Sequence, residues 1–145
     1  MAAEVVGPKG RVAGVDLVAI DPPLRLDNVL ATEGDLADPS AFPPLLNYLK
    51  GRADVLLCDA APKLTGVRAS DRAQEGALLG AVEVALVELL QPGGLALVKL
   101  LECPEAQAFE KRLRGSFAKT RRVRPGASRK GSSETYLLAR DYRPG

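Results

Sequence analysis

The chain has 145 residues, 46% of them hydrophobic and 26% charged, with a net charge of +2, two cysteines, and neither histidine nor tryptophan. This composition suits one soluble domain with an aliphatic core. The lack of histidine excludes imidazole acid–base catalysis, Ser-His triads and most transition-metal sites.

Arg11–Ile20 is β-rich and mostly apolar, and predicts a strand. Asp27–Asp35 predicts a shorter, weaker one. Ser40 to Lys50 predicts a helix, with prolines near its start and Gly51 at its end. Ala53–Asp59 (ADVLLCD) predicts a buried strand, followed by a loop, TGVRASD. A long helix is expected from about Asp71 to Gln91, where Leu78, Val82, Ala85, Leu86 and Leu89 recur at helical spacing. Pro92-Gly93-Gly94 is expected to end it. Leu95–Leu101 is an apolar strand around one lysine, Lys99. Pro104–Phe117 predicts an amphipathic helix, TRRVRP an edge strand, ASRKGSS a polar loop, and Glu134–Tyr142 a final strand.

Strands alternating with helices predict an α/β sheet of βαβ units, and continuous apolar strands predict a sheet covered on both faces. No helix separates the last two strands, so they should pair antiparallel. There are no internal repeats and no linker, so 1–145 reads as a single domain. No secretory leader is expected at the N-terminus. The most apolar window, ALLGAVEVALVELL, contains Glu83 and Glu88 and does not predict a membrane span. Cys58 and Cys103 lack CxxC spacing and read as buried reduced thiols, which suits the cytoplasm.

Ligands of an open parallel sheet bind outside the carboxyl ends of its strands. Here those ends carry Asp16, Asp35, Asp59 and Lys99. An antiparallel last strand would bring Glu134 to the same edge. Charges in apolar strands are costly unless paired or wet, so these five residues are expected to line one cleft. Asp16 or Asp35 alone could serve a turn or cap, and Asp59 could form an Asx turn. Lys99 has no inexpensive structural role unless it snorkels out or meets a carboxylate.

Charge is also distributed unevenly. Residues 111–130 hold nine bases and no acid. Such a block either forms a solvated face or meets a polyanion, and nucleic acid is the expected partner. The candidate contacts are Arg121, Arg122, Arg124, Arg129 and Lys130.

DAAPKLTG, PGGLALVKLL and SRKGSSETYLLA occur in an order and spacing that resemble the FtsJ-type (heat-shock) family of ribose 2′-O-methyltransferases acting on large-subunit ribosomal RNA. GPKGR (Gly7–Arg11) and EGD (Glu33–Asp35) fit the same pattern, and the likeness covers essentially the whole chain. The resemblance implies a Rossmann-like methyltransferase sheet with one antiparallel strand. It implies S-adenosylmethionine as cofactor, ribosomal RNA or the large ribosomal subunit as partner, and no metal or membrane. By the same resemblance, Asp16 binds the cofactor ribose and Asp35 its adenine. Asp59 stands near the methyl group, Lys99 accepts the proton of the target hydroxyl, and Glu134 completes the catalytic set. Burial of Lys99 would favour its neutral form, whereas Asp59 and Glu134 would oppose this.

The family's first strand, its DLGAAPGGW loop and a further lysine have no counterpart in these residues. The chain is therefore expected to be N-terminally incomplete, with the native start upstream. Ala60 stands where the family has Met, and LLECPEA replaces a Phe-Gln-Gly segment. Two other readings remain open: a non-catalytic RNA-binding or ribosome-associated module, and a methyltransferase on another RNA or a small hydroxyl compound. A dinucleotide oxidoreductase is disfavoured, because GPKGR lacks GxGxxG spacing and precedes a strand.

Overall fold

The computed structural model describes residues 1–126 and 134–145. They form two compact units, Met1–Ala53 and Asp54–Gly145.

The first unit begins with a short helix, α1 (Ala2–Val6), and two strands, β1 (Val12–Asp16) and β2 (Val29–Glu33). The strands pair in parallel, from Val12 opposite Val29 to Asp16 opposite Glu33. Asn28 Nδ2 donates to the carbonyls of Ala3 and Gly7 at 3.1 Å each, which ties α1 to the start of β2. A 3₁₀ turn (Pro39–Ala41) leads into α2 (Phe42–Leu49), which packs on β1. Phe42 and Leu45 are its buried residues. Lys50 ends it in the left-handed conformation.

The second unit holds β3 (Ala53–Cys58, its first residue counted with the first unit), α3 (Arg68–Leu89), β4 (Leu90–Leu101), α4 (Pro104–Ser116), β5 (Phe117–Val123) and β6 (Glu134–Tyr142). The strand order is β3-β4-β6-β5. As expected, β6 runs antiparallel to β5. It also runs antiparallel to β4, so that Lys99 faces Tyr136 and Leu101 faces Glu134.

Strand residues alternate between faces. Ala96, Val98 and Leu100 of β4, with Thr135, Leu137 and Ala139 of β6, are fully buried and share one face. Against this face lie α3, through Leu79, Val82, Leu86 and Leu89, and α4, through Ala106, Phe109 and Leu113. The opposite face carries Leu95, Leu97, Lys99, Tyr136 and Leu138, all half-buried. On β3, Val55 and Leu57 remain more than half exposed. Coverage within this unit is therefore heavy on one face only.

Three boundaries differ from the sequence reading. The long helix starts at Arg68 rather than Asp71. The Asp71 carboxylate reaches back to the Thr65 and Gly66 amides and the Thr65 hydroxyl, at 2.7–3.2 Å, and does not cap the helix at its own position. The same helix ends at Leu89, and Pro92-Gly93-Gly94 lies inside β4. A residue preceding proline is biased to extended backbone, so Gln91 disfavours helix ahead of the glycines. Gly93 has φ +79°, and a Cβ on buried Gly94 would come within 2.7 Å of Leu90 Cδ1, so both positions require glycine. The edge strand begins at Phe117, because that ring packs on Tyr142 with centroids 5.0 Å apart.

Candidate active site

Lys99 sits two residues before the end of β4, its side chain only 14% exposed. Its ammonium lies 3.2 Å from Asp59 Oδ1, and Asp59 is the first residue after β3. The hydroxyl of Tyr136, directly opposite Lys99 in the ladder, donates to the same oxygen at 2.7 Å. Two donors from adjacent strands thus converge on one carboxylate oxygen. The Tyr136 hydroxyl, followed by Lys99, holds the Asp59 carboxyl below its usual range. Asp59 in turn pushes the tyrosine hydroxyl up to about 12. Glu134 is exposed and two residues along from Tyr136, which places it on the sheet face that carries Lys99. Its charge reaches Tyr136.

The remaining candidate carboxylates belong to the first unit. Asp16 ends β1, and its Oδ1 accepts the Val18 amide at 3.0 Å. Asp35 lies two residues beyond β2, and its Oδ1 accepts the Ala37 amide at 2.8 Å. Both therefore make the local turns that sequence alone allowed them, and both are exposed. Asp16 also borders a cavity of about 480 Å³ walled by Ile20, Leu24, Ala31 and Glu33.

The basic segment divides in two. Successive strand residues point to opposite faces, so Arg121 and Arg122 separate. Arg122 turns toward α4 and makes 2.7 Å ion pairs with both Glu102 and Glu110. Arg112 and Arg114 pair with Glu83 and Glu110. Three of the run's bases, Arg112, Arg114 and Arg122, are thus paired with acids from outside it. Arg121 and Arg124 are exposed. Arg121 shares its sheet face with Lys119, Arg140 and Lys99, which makes a basic strip the sequence reading lacked. Arg129 and Lys130 lie outside the described residues.

Tyr136 and Glu75 were also missed. Tyr136 was readable only as part of a strand. Glu75 is 2% exposed and accepts the Leu101 amide at 3.0 Å. Its signal is a spacing of four and three through Leu79, Val82, Leu86 and Leu89, with a carboxylate in the first apolar slot. Cys58 and Cys103 are free and half-buried, and burial pushes both thiols up, which disfavours the reactive thiolate. Among the described residues there is no His/Cys/Asp/Glu cluster able to hold a metal, and no helix long and apolar enough to cross a membrane.

The mixed α/β architecture, with its last strand antiparallel to both neighbours, is that of a Rossmann-like methyltransferase. The chain belongs to the FtsJ-like methyltransferase family, whose pattern matches residues 1–142. It is 36% identical over 143 residues to a ribosomal RNA large subunit methyltransferase E of Methanothermobacter thermautotrophicus, covering 99% of this chain and 67% of that one. To the protein of the same name in Stutzerimonas stutzeri it is 35% identical, covering 99% and 68%. A Plasmodium falciparum crystal structure described as a putative ribosomal RNA methyltransferase superposes with TM-score 0.79 at 20% identity, over 94% of this chain and 75% of that one, and shares its fold. The chain thus spans about two thirds of the length of these two curated relatives.

Proposed function

We propose that the protein methylates a ribose 2′-hydroxyl of large-subunit ribosomal RNA, with S-adenosylmethionine as donor and Lys99 as proton acceptor. The observation that carries this reading is the half-buried Lys99 held 3.2 Å from Asp59 at the end of adjacent strands. The relatives named for large-subunit ribosomal RNA methylation support the substrate class.

The first unit has features that fit the cofactor. Asp16 commits Oδ1 to Val18, so Oδ2 remains to accept from ribose hydroxyls. The neighbouring Ile20 and Leu24 suit the face of a purine. Asp35 would take the adenine amine. When bound, S-adenosylmethionine supplies an electrophilic methyl group on sulfur. In the transfer, the oxygen–methyl bond forms as the sulfur–methyl bond breaks.

Such in-line displacement asks the chain for positioning and for removal of one proton. Asp59 fixes the Lys99 nitrogen so that an incoming hydroxyl meets an oriented acceptor. An ammonium offers no acceptor, so Lys99 first releases a proton to water and then, as the neutral amine, takes the hydroxyl proton as the new bond forms. Glu134 shares the Lys99 face and steadies the developing charge distribution. Arg121 and Arg124, aided by Lys119 and Arg140, grip phosphates and leave base reading to other contacts. Arg129 and Lys130 extend this proposed set.

Calorimetry with S-adenosylmethionine tests the cofactor assignment. Binding that weakens at least about tenfold in Asp16→Ala supports it. If wild-type protein binds no S-adenosylmethionine, the enzymatic reading gives way to an RNA-binding module.

A further inference from the structure

A carboxylate in the first apolar slot of α3 needs a reason, because an uncompensated buried charge is destabilising. Glu75 Oε1 accepts the backbone N–H of Leu101 at 3.0 Å. Leu101 is the last residue of β4, two past Lys99 and directly opposite Glu134. A strand's last amide is readily left without a ladder partner, and a buried N–H without an acceptor is costly. Glu75 supplies that acceptor from the helix packed on the strand.

We propose that Glu75 is a positioning residue for methyl transfer: its buried carboxylate holds the end of β4, and thereby the register in which Lys99 meets Asp59 and Glu134 flanks it. This rests on the catalytic assignment of Lys99 made above.

The chemistry favours positioning over structural filling. Glu75 belongs to the buried residues of α3 with Leu79 and Val82, where leucine would bury more apolar surface without desolvating a charge. Glu75 also has a second carboxylate oxygen, and the Lys99 ammonium lies within its electrostatic reach. The carboxylate therefore acts on the active strand in two ways, through the Leu101 amide and through the field at Lys99. Desolvation pushes the Glu75 carboxyl up, which agrees with a group kept in place despite its burial.

The test compares wild type, Glu75→Gln, Glu75→Leu and Lys99→Ala. Turnover is measured on large-subunit RNA with S-adenosylmethionine, and Leu101 amide exchange and the Lys99 side-chain NMR signal are followed without substrate. Glu75→Gln keeps an acceptor oxygen and should retain turnover within about threefold. Glu75→Leu fills the space without an acceptor. It should lower kcat about tenfold or more at unchanged KM for S-adenosylmethionine, speed Leu101 exchange, and shift the Lys99 signal. A folded Glu75→Leu protein with wild-type kcat overturns the inference while leaving Lys99 catalysis intact. If wild type itself transfers no methyl group, the functional reading fails instead. The exchange arm then decides the local hold: unchanged Leu101 protection and an unchanged Lys99 signal in Glu75→Leu overturn it.

Discussion

Lys99 and Tyr136 face each other across the β4–β6 ladder, and both donate to a single oxygen, Asp59 Oδ1, at 3.2 and 2.7 Å. Three strands are thereby fastened at one point. The tyrosine bond is the shorter, and its hydroxyl is the main cause of the low Asp59 pKa.

Tyr136→Phe should therefore raise the Asp59 pKa toward the ordinary carboxylate range, as read by carboxyl NMR titration. An Asp59 pKa unmoved in that variant contradicts the shared-oxygen geometry. The pH dependence has two limbs. Asp59 has a lowered folded pKa, so its contribution to stability is present above about pH 4 and is lost as pH falls through the folded value. Tyr136 has a folded value raised from 10.0 to about 12, so its contribution is whole below pH 10.0 and is lost as pH rises through about 12. Absorbance titration should show a late-ionising component that disappears in Tyr136→Phe.

Glu75 makes the opposite acid-limb prediction. Its folded pKa is raised by burial, so its contribution is most favourable below about pH 4.3 and is lost as pH rises through the folded value. Glu75→Gln should consequently be more stable than wild type at pH 7, by a margin that shrinks on acidification. A margin that grows on acidification would show that the carboxylate is not desolvated.

The two adjacent arginines of β5 should behave differently. Arg122→Ala leaves the half-buried carboxylate of Glu110 with one partner fewer, and should cost about 2 kcal/mol, or roughly 6 °C in Tm. Arg121→Ala with Arg124→Ala should leave Tm unchanged. It should lower the slope of log affinity for RNA against log salt by about one unit per contact removed. An unaltered slope moves the RNA surface elsewhere.

The contrast between these arginines shows what was legible in the sequence. A dense basic run announces affinity for polyanions, but its partner acids, Glu83 and Glu102, lie outside it and Glu110 just before it, so folding alone reveals which members are committed. Period-two alternation could have separated Arg121 from Arg122 once the strand was recognised. The Lys99–Glu134 side of the sheet was readable, because a chain with no helix between its last two strands must reverse direction there. The convergence on Asp59 was legible in kind, since apolar strands ending in charge point to a site. Glu75 was obscured because one carboxylate in an apolar stripe reads as a break in the stripe. Its partner, a backbone amide, carries no sequence signature. The helix end was misplaced because Pro92-Gly93-Gly94 resembles a helix stop, whereas extended backbone already begins at Leu90.

Lys99 is the residue assigned here to receive the proton. Methyl transfer from labelled S-adenosylmethionine to large-subunit RNA, compared between wild type and Lys99→Ala at equal cofactor occupancy, tests this most directly. The expected result is label on a ribose 2′-oxygen with wild type, and a loss of about 100-fold or more in kcat with cofactor affinity unchanged in the variant. Transfer at the wild-type rate by Lys99→Ala, or label found on a base, would contradict it.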